Sequence, residues 1–303
     1  MTVAERCGVL GVGALGAAVA ARLATEGLAV AAYDVDPARV TALAEVGVDA
    51  ASSPADLARR SDVLLVVLPD TPEIEASLDG ETGVEAGLRD GAAMLLVSTV
   101  KPATAQKLAL RLAPRGVDVL DTPVSGGPVA ARDGALAIMA GGADAAYARC
   151  LPMLELMGHP VHVGPIGHGE IAKLANNLMG SVTAIGIAEG LALAAKAGAD
   201  LDKVREAIAA GSGASWILSD RLPRTVLAGR TEADFAVELM VKDLEVLDGY
   251  ARELGVPLRA GALARSTFTG LRDAGHGGHD FSVVVAVSAA EAGAPLPIDL
   301  DPR

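Results

Sequence analysis

In Cys7-Gly8-Val9-Leu10-Gly11-Val12-Gly13-Ala14-Leu15-Gly16, a short apolar run is followed at once by three closely spaced glycines, and this combination indicates the fold class. The run has the length and composition of a buried strand, and the alanine-rich segment that follows favours a helix. In this context the first glycine permits a tight turn, the second lets a pyrophosphate approach the backbone, and the third lets the helix lie close to the strand. Phosphates would then sit at the helix N-terminus, where free N–H groups favour anions. The stretch therefore predicts a dinucleotide-binding turn, with these residues at the cofactor: Gly11, Gly13, Ala14, Leu15 and Gly16.

The rest of the first half repeats the same alternation of strand and helix. Further apolar runs, separated by amphipathic segments, predict strands at residues 29–33, 63–68, 93–97, 117–120 and 136–140. Continuous apolar strands alternating with helices predict a mainly parallel sheet covered on both faces, the α/β class. After Gly164-Pro165 the pattern changes to almost pure helix, beginning with a long segment from His168 to about Gly198. We predict a Rossmann-type doubly wound domain over residues 1–165 and an all-helical domain over residues 166–303.

Composition restricts the classes of partner. The chain has 303 residues and a net charge of −13, and it carries no basic stripe, which argues against a nucleic-acid partner. No uninterrupted apolar run approaches the ~20 residues of a membrane span, so no membrane partner is expected. Cys7 and Cys150 lie far apart within apolar runs, and no signal peptide is evident, so we expect a cytoplasmic protein. The five histidines have no cysteine or carboxylate placed beside them as further ligands, so no metal site is predicted.

The second predicted strand ends at Asp34, eighteen residues after Gly16. A dinucleotide fold places at about this distance the carboxylate that bonds the adenosine ribose hydroxyls. Because a carboxylate there would repel a 2′-phosphate, Asp34 predicts NAD rather than NADP, a preference that Arg39 would weaken by turning toward the ribose. The alternative is that Asp34 is a turn residue ahead of a helix start at Asp36.

Two further turns lie at the predicted carboxyl edge of the sheet, where ligands bind in this class of fold. They are Leu68-Pro69-Asp70-Thr71 and Ser98-Thr99-Val100-Lys101-Pro102. We predict that they line the cofactor site. Leu68 and Pro69 would pack against the cofactor, and the Thr99 hydroxyl would bond to it. The alternative for both turns is simple helix capping.

The strand before residue 121 leads into Asp121-Thr122-Pro123-Val124-Ser125-Gly126-Gly127-Pro128, which holds two glycines between prolines. Successive free N–H groups together with the Ser125 hydroxyl would make an anion-binding concavity suited to a carboxylate. The alternative is a hairpin-like turn leading to Leu136.

A lysine with a following asparagine pair marks the start of the long helix, in Gly167-His168-Gly169-Glu170-Ile171-Ala172-Lys173-Leu174-Ala175-Asn176-Asn177. Lys173 and Asn177 are one helical turn apart, so the ammonium and the carboxamide can converge on one small polar ligand. Taken alone, the pattern also fits a solvated lysine with locally bonded amides. Likewise, Lys242-Asp243 taken alone would be an ordinary exposed charge pair.

The chain resembles the β-hydroxyacid dehydrogenase family in four motifs, which occur in the same order and extend over nearly the whole chain. They are the glycine turn at residues 11–16, the loop at residues 121–127, the stretch at residues 167–177 and Lys242-Asp243. The resemblance implies reversible hydride transfer between a small hydroxy acid and NAD, in a homodimer or homotetramer. It implies that Lys173 is the catalytic acid and base, and that Lys242 closes over the cofactor. It further implies a substrate site made of these residues: Ser125, Gly126, Gly127, Asn177, Phe235 and Asp243.

The range of possible substrates is restricted only by the branch of the family that the chain resembles. Ser215-Trp216 followed by Arg221, and the late segment 274–280 with Asp280, are more similar to the branch that acts on L-threonate, although Phe281 departs from it. We expect a 3-hydroxyisobutyrate-like acid or a four-carbon polyhydroxy acid. The alternatives are a reductase of a small carbonyl acid, such as tartronate semialdehyde or succinic semialdehyde, and a non-catalytic dinucleotide-binding protein. The roles of Trp216, Arg221 and Asp280 stay open at this level.

Overall fold

A computed structural model describes residues 6–294 together with residues 296, 298 and 300. The chain divides into two compact units, Met1–Lys173 and Leu174–Arg303. The division falls inside one long helix, whereas the change in sequence composition lies near residue 165.

The first unit is built on one sheet. Within the described residues its strands follow the order β3-β2-β1-β4-β5-β6-β8-β7, with β9 pairing on β8. The first six strands pair in parallel, whereas β8 runs antiparallel to β6 and β7. The strands are β1 (Cys7–Leu10), β2 (Val30–Tyr33), β3 (Val48–Ala50), β4 (Val63–Val66), β5 (Ala93–Leu96), β6 (Asp118–Asp121), β7 (Val124–Ser125), β8 (Leu136–Gly141) and β9 (Gly158–Gly164).

Both faces of this sheet are covered by helices, as its uninterrupted apolar strands predict. Successive strand residues alternate between two cores: Val9 joins one with Leu23 and Leu154, and Leu10 joins the other with Leu57. The predicted doubly wound α/β fold is confirmed. The helices of this unit are α1 (Ala14–Thr25), α2 (Pro37–Thr41), α3 (Pro54–Arg60), α4 (Thr71–Leu78), α5 (Val84–Gly87), α6 (Pro102–Leu112), α7 (Gly127–Asp133) and α8 (Asp144–Met157).

The second unit is helical, as predicted, and its core includes Leu174, Phe268 and Phe281. Its described residues include two π-helical turns, Ile217–Arg221 and Arg272–His276, and two isolated antiparallel bridges. The helices are α9 (His168–Lys196), which begins in the first unit, α10 (Leu201–Ala209), α11 (Leu222–Arg224), α12 (Val237–Glu253), α13 (Arg259–Leu271) and α14 (Val283–Glu291).

Helix α9 is long and strongly apolar. Among the helices that the structure describes, it has the length and hydropathy of a membrane-crossing segment, with 33% of its most apolar stretch buried. Core helices of globular proteins have the same properties, and Leu174, Ala184 and Ala188 of α9 belong to the core of the second unit. Length and composition alone therefore do not make α9 a membrane segment.

Candidate active site

The glycine turn between β1 and α1 has the form that its spacing predicts. Gly11 has a φ of 89°, and a Cβ there would lie 2.5 Å from the carbonyl oxygen of Val67. A Cβ on Gly16 would collide with the carbonyl oxygen of Gly11, so α1 lies close against the turn. Next to Gly13, by contrast, no atom lies within 4 Å of the position of a Cβ. The turn is therefore closed at Gly11 and Gly16 and open at Gly13, the position where the sequence predicts the approach of a pyrophosphate.

Asp34 is tied directly to this turn. Its carboxylate is buried and accepts hydrogen bonds from the N–H of Val12 at 2.8 Å and the N–H of Asp36 at 2.9 Å. The Arg39 Nη1 lies 3.8 Å from Asp34 Oδ1. Asp36 caps α2 by accepting from the N–H of Ala38. Asp34 therefore lies beside the glycine turn, and its bond from the Asp36 N–H also makes it a turn residue ahead of the helix that starts at Asp36, as the alternative interpretation expected.

The turns after β4 and β5 lie next to each other. The N–H of Leu68 donates to Ser98 Oγ at 2.9 Å, and a Cβ on Gly11 would lie 2.8 Å from Leu68 Cδ2. Pro69 is exposed and Thr99 is half-buried. The structure therefore brings Leu68 to the glycine turn and joins the two turns, while their contacts with a cofactor stay a prediction.

The two-glycine loop forms a half-buried turn. Ser125 pairs with Ala137 across the antiparallel strands β7 and β8. Gly126 and Gly127 have φ values of 126° and 71°, which side chains rarely adopt, and the turn leads into α7. The connection from β7 to the antiparallel strand β8 therefore runs through α7 and is not the simple hairpin-like turn of the alternative interpretation. Substrate binding there stays a prediction.

Asp121, at the end of β6, holds the beginning of α9. Its carboxylate is fully buried and accepts from the N–H groups of Gly167 and Glu170, each at 2.8 Å. Burial raises the pKa of Asp121, and these backbone donors offset the rise only in part. A Cβ on Gly141 would collide with Asp121 Oδ1, and one on Gly169 would lie 2.6 Å from the Asp121 carbonyl oxygen. The two glycines therefore allow α9 to start directly on this carboxylate.

Glu170 joins the same helix start to the turn after β5. Its side chain is fully buried, and its Oε2 accepts from the N–H of Val100 at 3.1 Å. Lys173, three residues further along α9, is 6% exposed, so it is not the solvated surface lysine of the alternative interpretation. Neither Asp121 nor Glu170 is among the site residues that the sequence predicts. The usable signals were a carboxylate at the carboxyl end of a sheet strand and a second one between a glycine turn and the lysine.

In the second unit, Asn177 and Asp243 make a buried hydrogen bond. The Asn177 Nδ2 donates to Asp243 Oδ2 at 2.5 Å, and Asn177 Oδ1 accepts from the amide of Asn176 at 3.1 Å. The Lys242 Nζ lies 2.9 Å from Asp243 Oδ1. Because Asp243 is 2% exposed and bridges an amide and an ammonium, Lys242-Asp243 is not an ordinary exposed charge pair.

Phe235, the remaining predicted site residue, precedes α12 and is half-buried. Its ring centroid lies 6.1 Å from that of Phe281, with the two ring planes at 75°. This edge-to-face geometry is the one that aromatic pairs favour. Among the described residues, no three His, Cys, Asp or Glu side chains are grouped as a metal site would require.

Two family models together cover most of the chain. Residues 6–167 match the NAD binding domain of 6-phosphogluconate dehydrogenase, and residues 167–288 match the NAD-binding domain of NADP-dependent 3-hydroxyisobutyrate dehydrogenase. A nicotinamide dinucleotide is thus supported as the cofactor, without a choice between NAD and NADP.

Individual relatives lead to the same family. The chain is 33% identical to 2-(hydroxymethyl)glutarate dehydrogenase of Eubacterium barkeri, over 93% of this chain and 94% of the relative. It is 34% identical to L-threonate dehydrogenase of Escherichia coli K12, over 92% and 93%. The crystal structure of 3-hydroxyisobutyrate dehydrogenase from Salmonella typhimurium superposes with a TM-score of 0.84 at 30% identity, over 93% of this chain and 99% of that one. On these similarities the chain belongs to the β-hydroxyacid dehydrogenase family.

Proposed function

We propose that this protein oxidises a small hydroxy acid reversibly with NAD, and that Lys173 is its proton-transfer residue. The observation that carries the proposal is the burial of Lys173 on α9, one helical turn before Asn177, whose amide is held by Asp243. Binding of a dinucleotide without turnover requires neither a buried lysine at this position nor an oriented carboxamide one helical turn later.

The residues of the glycine turn fit a dinucleotide. The open space at Gly13 and the close approach of α1 at Gly16 leave room for a pyrophosphate at the start of α1. Asp34 would bond the ribose hydroxyls, and its negative charge disfavours a 2′-phosphate, which is the reason for proposing NAD over NADP. The Arg39 Nη1 lies 3.8 Å from Asp34 Oδ1, so in this conformation the guanidinium is directed at the Asp34 carboxylate. When bound, the nicotinamide supplies the hydride acceptor.

Lys173 then has one task in each direction. In oxidation its amine accepts the proton of the substrate hydroxyl, and in reduction its ammonium returns that proton to the carbonyl oxygen. Asn177 would orient the reacting oxygen, since its Nδ2 and Oδ1 each keep bonding capacity beyond the partners described above. Ser125, Gly126 and Gly127 would hold the substrate carboxylate and thereby fix the position of the carbon that reacts.

For the substrate we propose a polar hydroxy acid with about four carbons, such as L-threonate. The support comes from the Ser215-Trp216 and Arg221 pattern and from the similarity to L-threonate dehydrogenase. A 3-hydroxyisobutyrate-like acid is the second candidate, supported by the similarity to the Salmonella typhimurium enzyme.

The test is an activity screen on the purified protein with NAD and, separately, NADP. The substrates are L-threonate, D-erythronate, 3-hydroxyisobutyrate, glycerate, L-serine and 4-hydroxybutyrate, and the readout is absorbance of the reduced cofactor. We expect turnover of one four-carbon acid with NAD, and a rate at least ~100-fold lower from Lys173→Ala prepared in parallel, which controls for contaminating enzymes. Absence of turnover with all six acids and both cofactors would reject the proposal.

A further inference from the structure

Asp280 is a buried carboxylate that the proposed reaction does not use. It is fully buried, and its Oδ2 accepts from the backbone N–H groups of Asp234 and Phe235, each at 3.2 Å. Its Oδ1 accepts from the N–H of Ser282 at 3.1 Å, and its own N–H donates to the Thr231 carbonyl oxygen at 2.9 Å. The hydrogen bonds of this one aspartate thus connect residues 231–235 to the segment that precedes α14.

The charge of Asp280 is balanced by a buried arginine. Arg221 is 2% exposed, and its Nη2 lies 3.2 Å from Asp280 Oδ2 while its Nη1 lies 3.1 Å from Asp234 Oδ2. Burial lowers the pKa of Arg221, which the two carboxylates partly oppose, and the guanidinium stays charged. Its two terminal nitrogens are thus committed to carboxylates of the protein. We therefore do not assign Arg221 to the substrate carboxylate.

Two aromatic rings lie near this guanidinium. The Cζ of Arg221 lies 5.2 Å from the ring centroid of Phe281 and 5.8 Å from that of Trp216, distances at which a cation is attracted by a ring face. Arg221 also ends the π-helical turn Ile217–Arg221, and such turns occur frequently at functional sites. The side chain is thus held on several sides.

The connected segment, residues 231–235, carries Phe235 and leads into α12. Bridges pair Glu232 with His279 and Ala236 with Asp280, and the N–H of Phe281 donates to the Phe235 carbonyl oxygen at 3.0 Å. Contacts with Asp280 and Phe281 therefore hold the backbone of Phe235 on both sides and its ring at one edge. Asp243, the partner of Asn177, lies further along the same α12.

We propose that Arg221 and Asp280 are positioning residues that fix Phe235 and the start of α12, and that they thereby set which hydroxy acid the protein accepts. This inference rests on the proposed function, in which Phe235 lines the substrate site. A buried ion pair contributes little net stability. The role assigned to this one is conformational, because the forked guanidinium contacts the carboxylates of Asp234 and Asp280 at the same time.

The first test is Asp280→Asn, which keeps the size of the side chain but removes its charge. A carboxamide cannot accept from Ser282 with one atom and from Phe235 with the other, because one of the two atoms becomes a donor. We expect the KM for the hydroxy acid to rise about tenfold, with kcat and the KM for NAD changed less than about twofold. The matched control is Asp220→Asn, which removes a carboxylate paired with Arg224 in the same cluster and should leave all three constants unchanged.

Coupling to Phe235 separates positioning from a general loss of structure. If Asp280 acts through Phe235, the effects of Asp280→Asn and Phe235→Leu on kcat/KM will not add in the double variant. Arg221→Lys keeps one charge but cannot bridge two carboxylates, so we expect it to behave like Asp280→Asn. Additive effects, or a lowered Tm with unchanged kinetic constants, would overturn the proposal.

Two readouts need no turnover and so distinguish failure of this inference from failure of the proposed function. Amide hydrogen exchange in residues 231–237 should become faster in Asp280→Asn, while that in β6 stays as in the parent. Trp216 is the only tryptophan of the chain, so its fluorescence emission should change when Arg221 loses its partner. If the parent oxidises none of the acids but both signals change, the positioning holds and the proposed function fails. If neither signal changes, the positioning itself is refuted.

Discussion

The side-chain amide of Asn177 donates a 2.5 Å hydrogen bond to the carboxylate of Asp243, which also binds the ammonium of Lys242 at 2.9 Å. A carboxylate can only accept, so it determines that the NH2 group of Asn177, and not its oxygen, faces α12. The direction in which Asn177 presents its remaining donor and acceptor is therefore fixed before any ligand binds.

Replacing this carboxylate should affect the hydroxy acid. Asp243→Asn removes the ionic partner of Lys242 and makes both orientations of the Asn177 amide possible. We expect kcat/KM for the hydroxy acid to fall between about tenfold and a hundredfold in steady-state kinetics. The control is Asp248→Asn, which removes a carboxylate on the same helix that pairs with Arg252. An equal loss in both variants would refute the orienting role.

Lys173 offers the most direct test of the mechanism. Lys173→Ala should lower kcat at least ~100-fold, because no other proton acceptor is assigned, while the Kd for NAD measured by calorimetry stays within about twofold. Lys196→Ala, at the exposed end of the same helix, should have the activity of the parent. A kcat that survives the loss of Lys173 would remove this residue from the reaction.

Two glycines of the first turn should respond differently to alanine. Gly13→Ala places a methyl group where no protein atom lies within 4 Å, so the Tm should hold while NAD binding weakens at least about tenfold. Gly16→Ala drives a methyl group into the Gly11 carbonyl oxygen, so unfolding should become easier by about 2 kcal/mol or more. Thermal unfolding and cofactor titration of both variants check this. Equal NAD affinity for Gly13→Ala and the parent would contradict the placement of the pyrophosphate.

Cofactor preference depends on Asp34. Asp34→Ser removes the charge that would repel a 2′-phosphate, so the ratio of kcat/KM for NADP to that for NAD should rise by about tenfold or more. Asp36→Ser changes an exposed aspartate that caps α2, and it should leave the ratio unaltered. A parent enzyme that already prefers NADP would contradict the reason given for NAD.

Burial of Asp121 should be visible as a pH effect. Because its pKa is raised in the folded protein above the ordinary 3.8, the folded state takes up this proton at a higher pH than the unfolded chain does. The corresponding contribution to stability is fully present below pH 3.8 and is lost as the pH rises through the folded pKa. Carboxyl NMR titration should show an elevated pKa that is absent in Asp121→Asn. A pKa for Asp121 below 3.8 would show that its backbone donors outweigh its burial.

The conformation of the first turn can be predicted almost completely from the sequence. The spacing of Gly11, Gly13 and Gly16 is local, so the turn, the helix after it and the position of Asp34 all follow from distances along the chain. Strands β3 and β7, with three and two residues, have no counterpart in the apolar pattern because a period needs more residues to be recognised.

Contacts between segments that are distant in sequence cannot be predicted from the periodicity of apolar residues. Asp121 and Gly167 are 46 residues apart, and nothing in either motif specifies that one carboxylate caps the helix that bears Lys173. The same holds for Arg221 and Asp280, whose pairing depends on how the helices of the second unit pack. Spacing identified the residues of these motifs, but only packing determines their partners.

The crowding around Asp121 has a consequence for how this chain can change over time. Alanine at Gly141 or Gly169 meets the aspartate, and a smaller residue at 121 abandons the N–H groups of Gly167 and Glu170. A single substitution at any of these three positions therefore either creates a steric clash or leaves backbone N–H groups without their acceptor. A different set of residues that packs equally well requires simultaneous changes. We therefore expect the three residues to be inherited as a block, even where relatives have exchanged one substrate for another.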